Sequence, residues 1–209
     1  MNPASMFRAT VLCPAKLNLF LRVTGRTDDG YHLLDTVMQT VSLADTLTLT
    51  ATAGAFAVTL HCSGGTNVSW YNAPTDDSNL VIRAARRFAD AVPVQYALDF
   101  ELTKRIPIGA GLGGGSSDAA GVIRLMQALT GAPDAVALAV ARDVGCDVPF
   151  FLTGGCQQMT GRGDIVVASV NKALPYYLIV FPGYSISTAE VFQEYDCKKG
   201  TMPDGIVDR

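Results

Sequence analysis

The sequence predicts an α+β fold, and three observations predict it. Apolar residues recur with a period of two through the first third of the chain, with a helical period through the middle, and with a period of two again afterwards. That grouping of strands, helices and strands is not a regular βαβ alternation. The third observation is a glycine-rich loop, Pro107 to Ala120, wedged between a strand pattern and a helix pattern. The 209 residues, at about 150 per domain, fit one large domain or two small ones. Hydrophobic residues make up 49% and charged residues 17%, which suits a packed core and not disorder.

Phe7, Ala9 and Val11, then Leu17, Leu19, Leu21 and Val23, alternate with polar neighbours and read as two strand segments kinked at Pro14. Asp45 to Thr52 and Phe56 to Leu60 keep the same period around Gly54, as does Ala97 to Thr103 with Leu98, Phe100 and Leu102 inward. These read as half-buried antiparallel strands. Helical spacing follows at Leu80, Ala84 and Phe88, through 117–130 with Val122, Met126 and Leu129, and from Val136 to Val140 after Pro133. Gly131 and Gly145 stand where helix stops belong. Beyond Gly154 and Gly155, Asp164 to Val170 and Tyr176 to Phe181 read as a strand pair. Pro182 and Gly183 then lead to a helix opened by Ser187-x-x-Glu190, a capping box. Asp196 to Arg209 reads as a polar tail.

A net charge of −3 provides no electrostatic footprint for nucleic acid or an anionic membrane, so phosphate binding must be local. No apolar run approaches the ~18 residues that span a bilayer. Cys13, Cys62, Cys146, Cys156 and Cys197 are odd in number and lack CxxC spacing, and the N-terminal stretch is broken by Arg8, Pro14, Lys16 and Asn18. Reduced thiols in a cytoplasmic protein are therefore expected. Neither His32 nor His61 has a second ligand at zinc spacing. Arg83 and Arg87 read as a solvated helix face, and Arg162-Gly163-Asp164 as a turn before a strand.

The loop Pro107-Ile108-Gly109-Ala110-Gly111-Leu112-Gly113-Gly114-Gly115-Ser116-Ser117 has the chemistry of a phosphate cradle. Its glycines leave backbone N–H groups uncovered, and the helix it opens supplies free amides and a positive dipole end. No Gly-Lys-Ser/Thr follows, so it is not a Walker A loop. Gly109-x-Gly111-x-x-Gly114 also fits the dinucleotide fingerprint, which keeps a nicotinamide enzyme as an alternative, although the preceding strands do not look like a βαβ unit. By residue chemistry alone, Lys16 is a charge interrupting an apolar strand and Asp147 is a candidate cap of the turn at Pro149. Either is also a candidate for catalysis.

Three stretches in order, Pro14 to Leu34 (PAKLNLFLRVTGRTDDGYHLL), the glycine loop, and Gly145 to Gly155 (GCDVPFFLTGG), resemble the 4-diphosphocytidyl-2-C-methyl-D-erythritol kinase family of GHMP small-molecule kinases. The resemblance covers residues 8 to 195. It implies a GHMP-kinase fold: a ribosomal protein S5 domain 2-like ATP-binding domain over 1–155, then part of an α/β-plait-like substrate domain over 156–209. It implies ATP with Mg²⁺, and a cytidine diphosphate ester of methylerythritol phosphorylated on its 2-hydroxyl, in isoprenoid precursor synthesis. Lys16 and Asp147 fall on the catalytic pair. Residues 107–117 fall on the phosphate loop, and Asn79 falls near the adenine, where a helix-capping role competes with it. Tyr31 and Phe192 would stack the cytosine, His32 would bind its edge, Asn18 would touch the substrate near the reacting end, and Thr188 lies on the matching helix start. Ser117 is a candidate contact of Mg²⁺ bound with the nucleotide, with no carboxylate ligand assigned.

Met38 stands where the family usually carries Phe, replacing a ring by a thioether that can still pack against rings. Family members continue about 70 to 90 residues further and include a second glycine-rich motif, which leads to the expectation of a shortened chain. A nucleotide-binding remnant without turnover and a kinase of another small alcohol are the rival expectations.

Overall fold

A computed structural model describes residues 6–64, 73–170, 176–184 and 187–199. The elements run β1 (Phe7–Arg26), β2 (His32–Ala53), β3 (Ala57–Gly64), α1 (Leu80–Ala91), β4 (Tyr96–Lys104), α2 (Gly114–Thr130), α3 (Asp134–Val144), α4 (Val148–Thr153), β5 (Cys156–Thr160), β6 (Ile165–Ser169) and α5 (Thr188–Lys199). The order is that of an α+β protein, with one six-stranded sheet.

β2 is the axis of that sheet. It pairs antiparallel with β1 along its length, while its C-terminal half pairs with β4 and Thr36–Gln39 pairs with β5. β1 is one long strand and not two segments. Register shifts at Pro14/Lys16, Asn18/Phe20 and Val23/Gly25 take up the kink that Pro14 suggests, since an extra residue bends and twists a strand without ending it.

Three further differences from the sequence reading have physical causes. β3 and β4 pair in parallel, because α1 lies between them and supplies the crossover that parallel strands need. β5 and α4 form from the short segments around Gly154 and Gly155, too brief for a periodic signal. Tyr176 to Phe181 keeps its alternation, with Tyr176 and Leu178 each 92% exposed, yet has no regular secondary structure: no described strand pairs with it. Asp196 lies within α5 and not in a tail, and residues 200–209 fall outside the described part.

The core packs α1, α2 and α4 with β2 and β4. Phe88, Phe100, Phe150, Leu47, Leu49, Leu98, Leu102, Ile123 and Met126 are all fully buried. α2 lies close against β1 and β2 at Gly121, where a Cβ would sit 2.7 Å from Cys13 Sγ and 3.3 Å from Leu47 Cδ2. That contact fixes the height of α2, and so of its N-terminus, above the sheet.

Candidate active site

Lys16 follows the first register shift of β1. The bulge turns its side chain inward, where it is 7% exposed. Its Nζ donates to Asn18 Oδ1 at 2.7 Å and lies 3.3 Å from Asp147 Oδ2. Asn18 is held in turn, its amide donating to Thr36 Oγ1 at 2.8 Å, and Thr36 donates to the Phe20 carbonyl at 2.6 Å. A buried ammonium needs such partners to offset its desolvation. Asp147 occupies the N-cap position of α4, but its side chain makes no capping bond there. Its carboxylate faces Lys16 instead.

The glycine loop runs from β4 to the start of α2. Gly109, Gly111 and Gly113 all have positive φ. Gly113 is the left-handed N-cap of α2, with φ +69°, and no side chain caps that helix. The first N–H groups of a 17-residue helix are therefore left without a side-chain acceptor, the condition for anion binding. A Cβ at Gly113 would lie 2.9 Å from Phe151 Cζ and 3.0 Å from Lys16 Cγ, so the loop is pressed directly against the Lys16 stem. Lys16 N also donates to the Leu112 carbonyl at 2.9 Å.

A cleft of about 790 Å³ brings most of the expected residues together. Lys16, Asn18, Tyr31, His32, Gly109, Gly111, Gly113, Gly114, Gly115, Ser116, Asp147, Thr188 and Phe192 border it, as does Met38. Asn79, Pro107, Ile108, Ala110 and Leu112 line an adjoining cavity of about 200 Å³ behind the loop. Asn79 caps α1 there: its Oδ1 accepts from Val81 N at 2.9 Å and its amide donates to the Pro74 carbonyl at 2.6 Å. Ser117 borders neither space. Its buried Oγ has no hydrogen-bond partner among the described residues, and Ser117 lines a separate pocket of about 150 Å³ with Arg124.

At the far end of the cleft, His32 and Phe192 stack, with ring centres 4.4 Å apart and planes 13° from parallel. His32 Nε2 lies 2.8 Å from Asp196 Oδ1, and Arg26 donates to Asp196 Oδ2 at 2.7 Å. Tyr31 is 54% exposed, and the Arg162 guanidinium lies over its ring at 4.9 Å.

Sequence reasoning missed Asp196, Arg162 and a buried charge cluster under the loop. Lys104 Nζ donates to Asp45 Oδ2 and to Asp118 Oδ2, the latter at 2.8 Å. Asp45 Oδ1 accepts the N–H groups of Arg105 and Ile106, tying down the chain where it enters the loop. Burial pushes the Asp118 carboxyl up to about 7, with Lys104 pulling it down and Asp45 raising it. Burial works against the Lys104 charge, but Asp118 and Asp45 outweigh it and raise its pKa. Charged residues punctuating apolar strands and a helix start were the available signal, but the partners lie 59 and 14 positions apart along the chain.

Comparison with known proteins places this geometry. Residues 79–155 match the GHMP kinases N terminal domain, and they contain the glycine loop, α2 and Asp147. These residues form a GHMP kinase N-terminal domain. The chain is 40% identical over 185 residues to a 4-diphosphocytidyl-2-C-methyl-D-erythritol kinase of Chlorobium phaeobacteroides (strain BS1), across 87% of this chain and 61% of that protein. Its identity to the enzyme of that name from Methylobacterium radiotolerans is 45% over 184 residues, 86% of this chain and 61% of the relative. A crystal structure of a 4-(cytidine 5'-diphospho)-2C-methyl-D-erythritol kinase superposes with a TM-score of 0.67 at 35% identity, covering 88% of this chain and 63% of that one. The L. major mevalonate kinase shares the fold, with a TM-score of 0.63 at 16% identity. The chain spans about 55–65% of the length of the curated relatives it matches. No helix among the described residues is long and apolar enough to cross a membrane.

Proposed function

We propose that the chain carries the nucleotide site and catalytic pair of a kinase that transfers the γ-phosphoryl of ATP to the 2-hydroxyl of 4-diphosphocytidyl-2-C-methyl-D-erythritol. The observation that carries the reading is the Lys16–Asp147 pair, 3.3 Å apart, on the wall of a cleft floored by the glycine loop.

In this reading the nucleotide phosphates lie on the loop against the N-terminus of α2, whose free amides and dipole favour anions. Asp147 Oδ accepts the proton of the attacking hydroxyl as its oxygen bonds to the γ-phosphorus and ADP leaves. Lys16 keeps Asp147 ionised and neutralises charge building on the transferred group. Asn18 and Thr36 fix the Lys16 ammonium, so its position does not have to be reorganised at the moment of transfer. Ser116 borders the cleft beside the loop, and its hydroxyl would hold Mg²⁺ together with the nucleotide phosphates. When bound, the ion neutralises phosphate charge. Tyr31, His32, Thr188 and Phe192 belong to the cytidine end of the cleft, and Asn79 to the adenine end. Residues 1–155 form the nucleotide-binding unit and 156–209 contribute to the substrate side.

The test is ADP release with ATP, Mg²⁺ and the cytidine substrate against a substrate-free blank. Substrate-dependent ADP is expected, and Asp147→Asn should lower turnover by at least about 10²-fold while nucleotide affinity changes little. ATP binding without substrate-dependent ADP, or an Asp147→Asn protein with unchanged turnover, would overturn the reading.

A further inference from the structure

Asp196 meets His32 from α5 and has two distinct partners. Its Oδ1 lies 2.8 Å from His32 Nε2, and its Oδ2 accepts from Arg26 at 2.7 Å. The His32 hydrogen bond first, against the opposing effect of burial and with Arg26 adding to it, holds the Asp196 carboxyl below its ordinary value. An ionised carboxylate has only acceptors, so the bonded Nε2 must carry the hydrogen. Arg26 meets the remaining carboxylate oxygen, so both oxygens of Asp196 are engaged and its carboxylate is held in place beside the imidazole. Nδ1 makes no hydrogen bond among the described residues and is not among the fully buried polar atoms. His32 and Asp196 both border the cleft.

We propose that Asp196 is a positioning residue that fixes the His32 tautomer with Nδ1 as a free acceptor, so that the cleft selects a 4-amino pyrimidine over its 4-oxo counterpart. The proposal rests on the reading that His32 meets the base edge. An unprotonated Nδ1 accepts from the exocyclic amino group of cytosine. Against uracil it would face a carbonyl oxygen, acceptor to acceptor, and specificity would arise from that unpaired contact as much as from the bond made to cytosine. The Phe192 ring, parallel to His32 at 4.4 Å, keeps the imidazole plane in place.

Asp196→Asn separates this role from a structural one. The new amide must turn its oxygen toward the Arg26 donor, which points its NH₂ at His32 Nε2. That NH₂ is a donor, so it requires Nε2 to accept and moves the hydrogen to Nδ1. The substitution thereby converts the free edge from acceptor to donor. Titrating cytidine diphosphate and uridine diphosphate into the wild-type and variant chains gives the readout. The wild type should prefer the cytidine nucleotide by tenfold or more, and Asp196→Asn should erase or reverse that ratio while ATP affinity holds.

Equal weakening of both pyrimidine nucleotides, or an unchanged ratio, would overturn the proposal with the cytidine reading intact. A wild type that does not distinguish them would remove the cytidine reading and the proposal together. Imidazole ¹⁵N spectra give a second measurement that needs no variant, since the chain has two histidines. Hydrogen on His32 Nε2 is expected, and hydrogen on Nδ1 in the wild type would refute the assignment.

Discussion

Gly113→Ala tests how tightly the phosphate loop is built against the catalytic lysine. Two costs add at this position. The left-handed backbone, φ +69°, costs an alanine about 1–2 kcal/mol. The methyl would also sit 2.9 Å from Phe151 Cζ and 3.0 Å from Lys16 Cγ, short of ordinary carbon contact by roughly half an ångström or more. Phe151 is 4% exposed and Lys16 7%, so neither can step into solvent, and overpacking of this kind costs about 1–3 kcal/mol. The total is about 2–5 kcal/mol. Gly111→Ala is the control, because Gly111 has φ +73° with nothing within 4 Å of its Cβ position. It should lose only the backbone cost, about 1–2 kcal/mol. Urea unfolding of the two variants beside the wild type, at unchanged m-value, measures the difference. Equal losses would show that the loop does not press on Lys16 and Phe151.

Two further measurements address the buried groups. Asp118, pushed up to about 7 by burial, keeps its proton in the folded state to higher pH than the unfolded chain, where a carboxyl titrates near ~4. Its contribution to stability is therefore fully present below about pH 4 and lost as pH rises toward about 7, with a slope of up to about 1.4 kcal/mol per pH unit. Asp118→Asn should flatten that part of the profile in urea melts between pH 4.5 and 8, and identical profiles would refute the assignment. Cys13 is 1% exposed, and burial first, then Asp118 and Asp45, raises its thiol well above the ordinary range. Cys197 is exposed. A thiol reagent on the native protein should label Cys197 rapidly and Cys13 only on unfolding, and labelling of both at one rate would contradict the packing of α2 on β1.

The sequence by itself determined the elements whose signal is local. The alternation at Leu98, Phe100 and Leu102, the helical spacing at Leu80, Ala84 and Phe88, and the run of glycines from Gly109 to Gly115 each lie within one segment. The strand, loop and helix around the site were legible for that reason. Lys16 and Asp147 stood out as charges in apolar surroundings and as residues on two family motifs, although nothing local said that they touch. Only the tertiary structure decided that they do. It required the bulge after Pro14 to turn Lys16 inward, and α4 to carry Asp147 to the same wall of the cleft. The parallel pairing of β3 with β4, the burial of Lys104 between Asp45 and Asp118, and the approach of Asp196 to His32 share that origin. Each joins groups far apart along the chain, and such contacts are set by how the sheet and helices pack, not by any periodicity a segment carries alone.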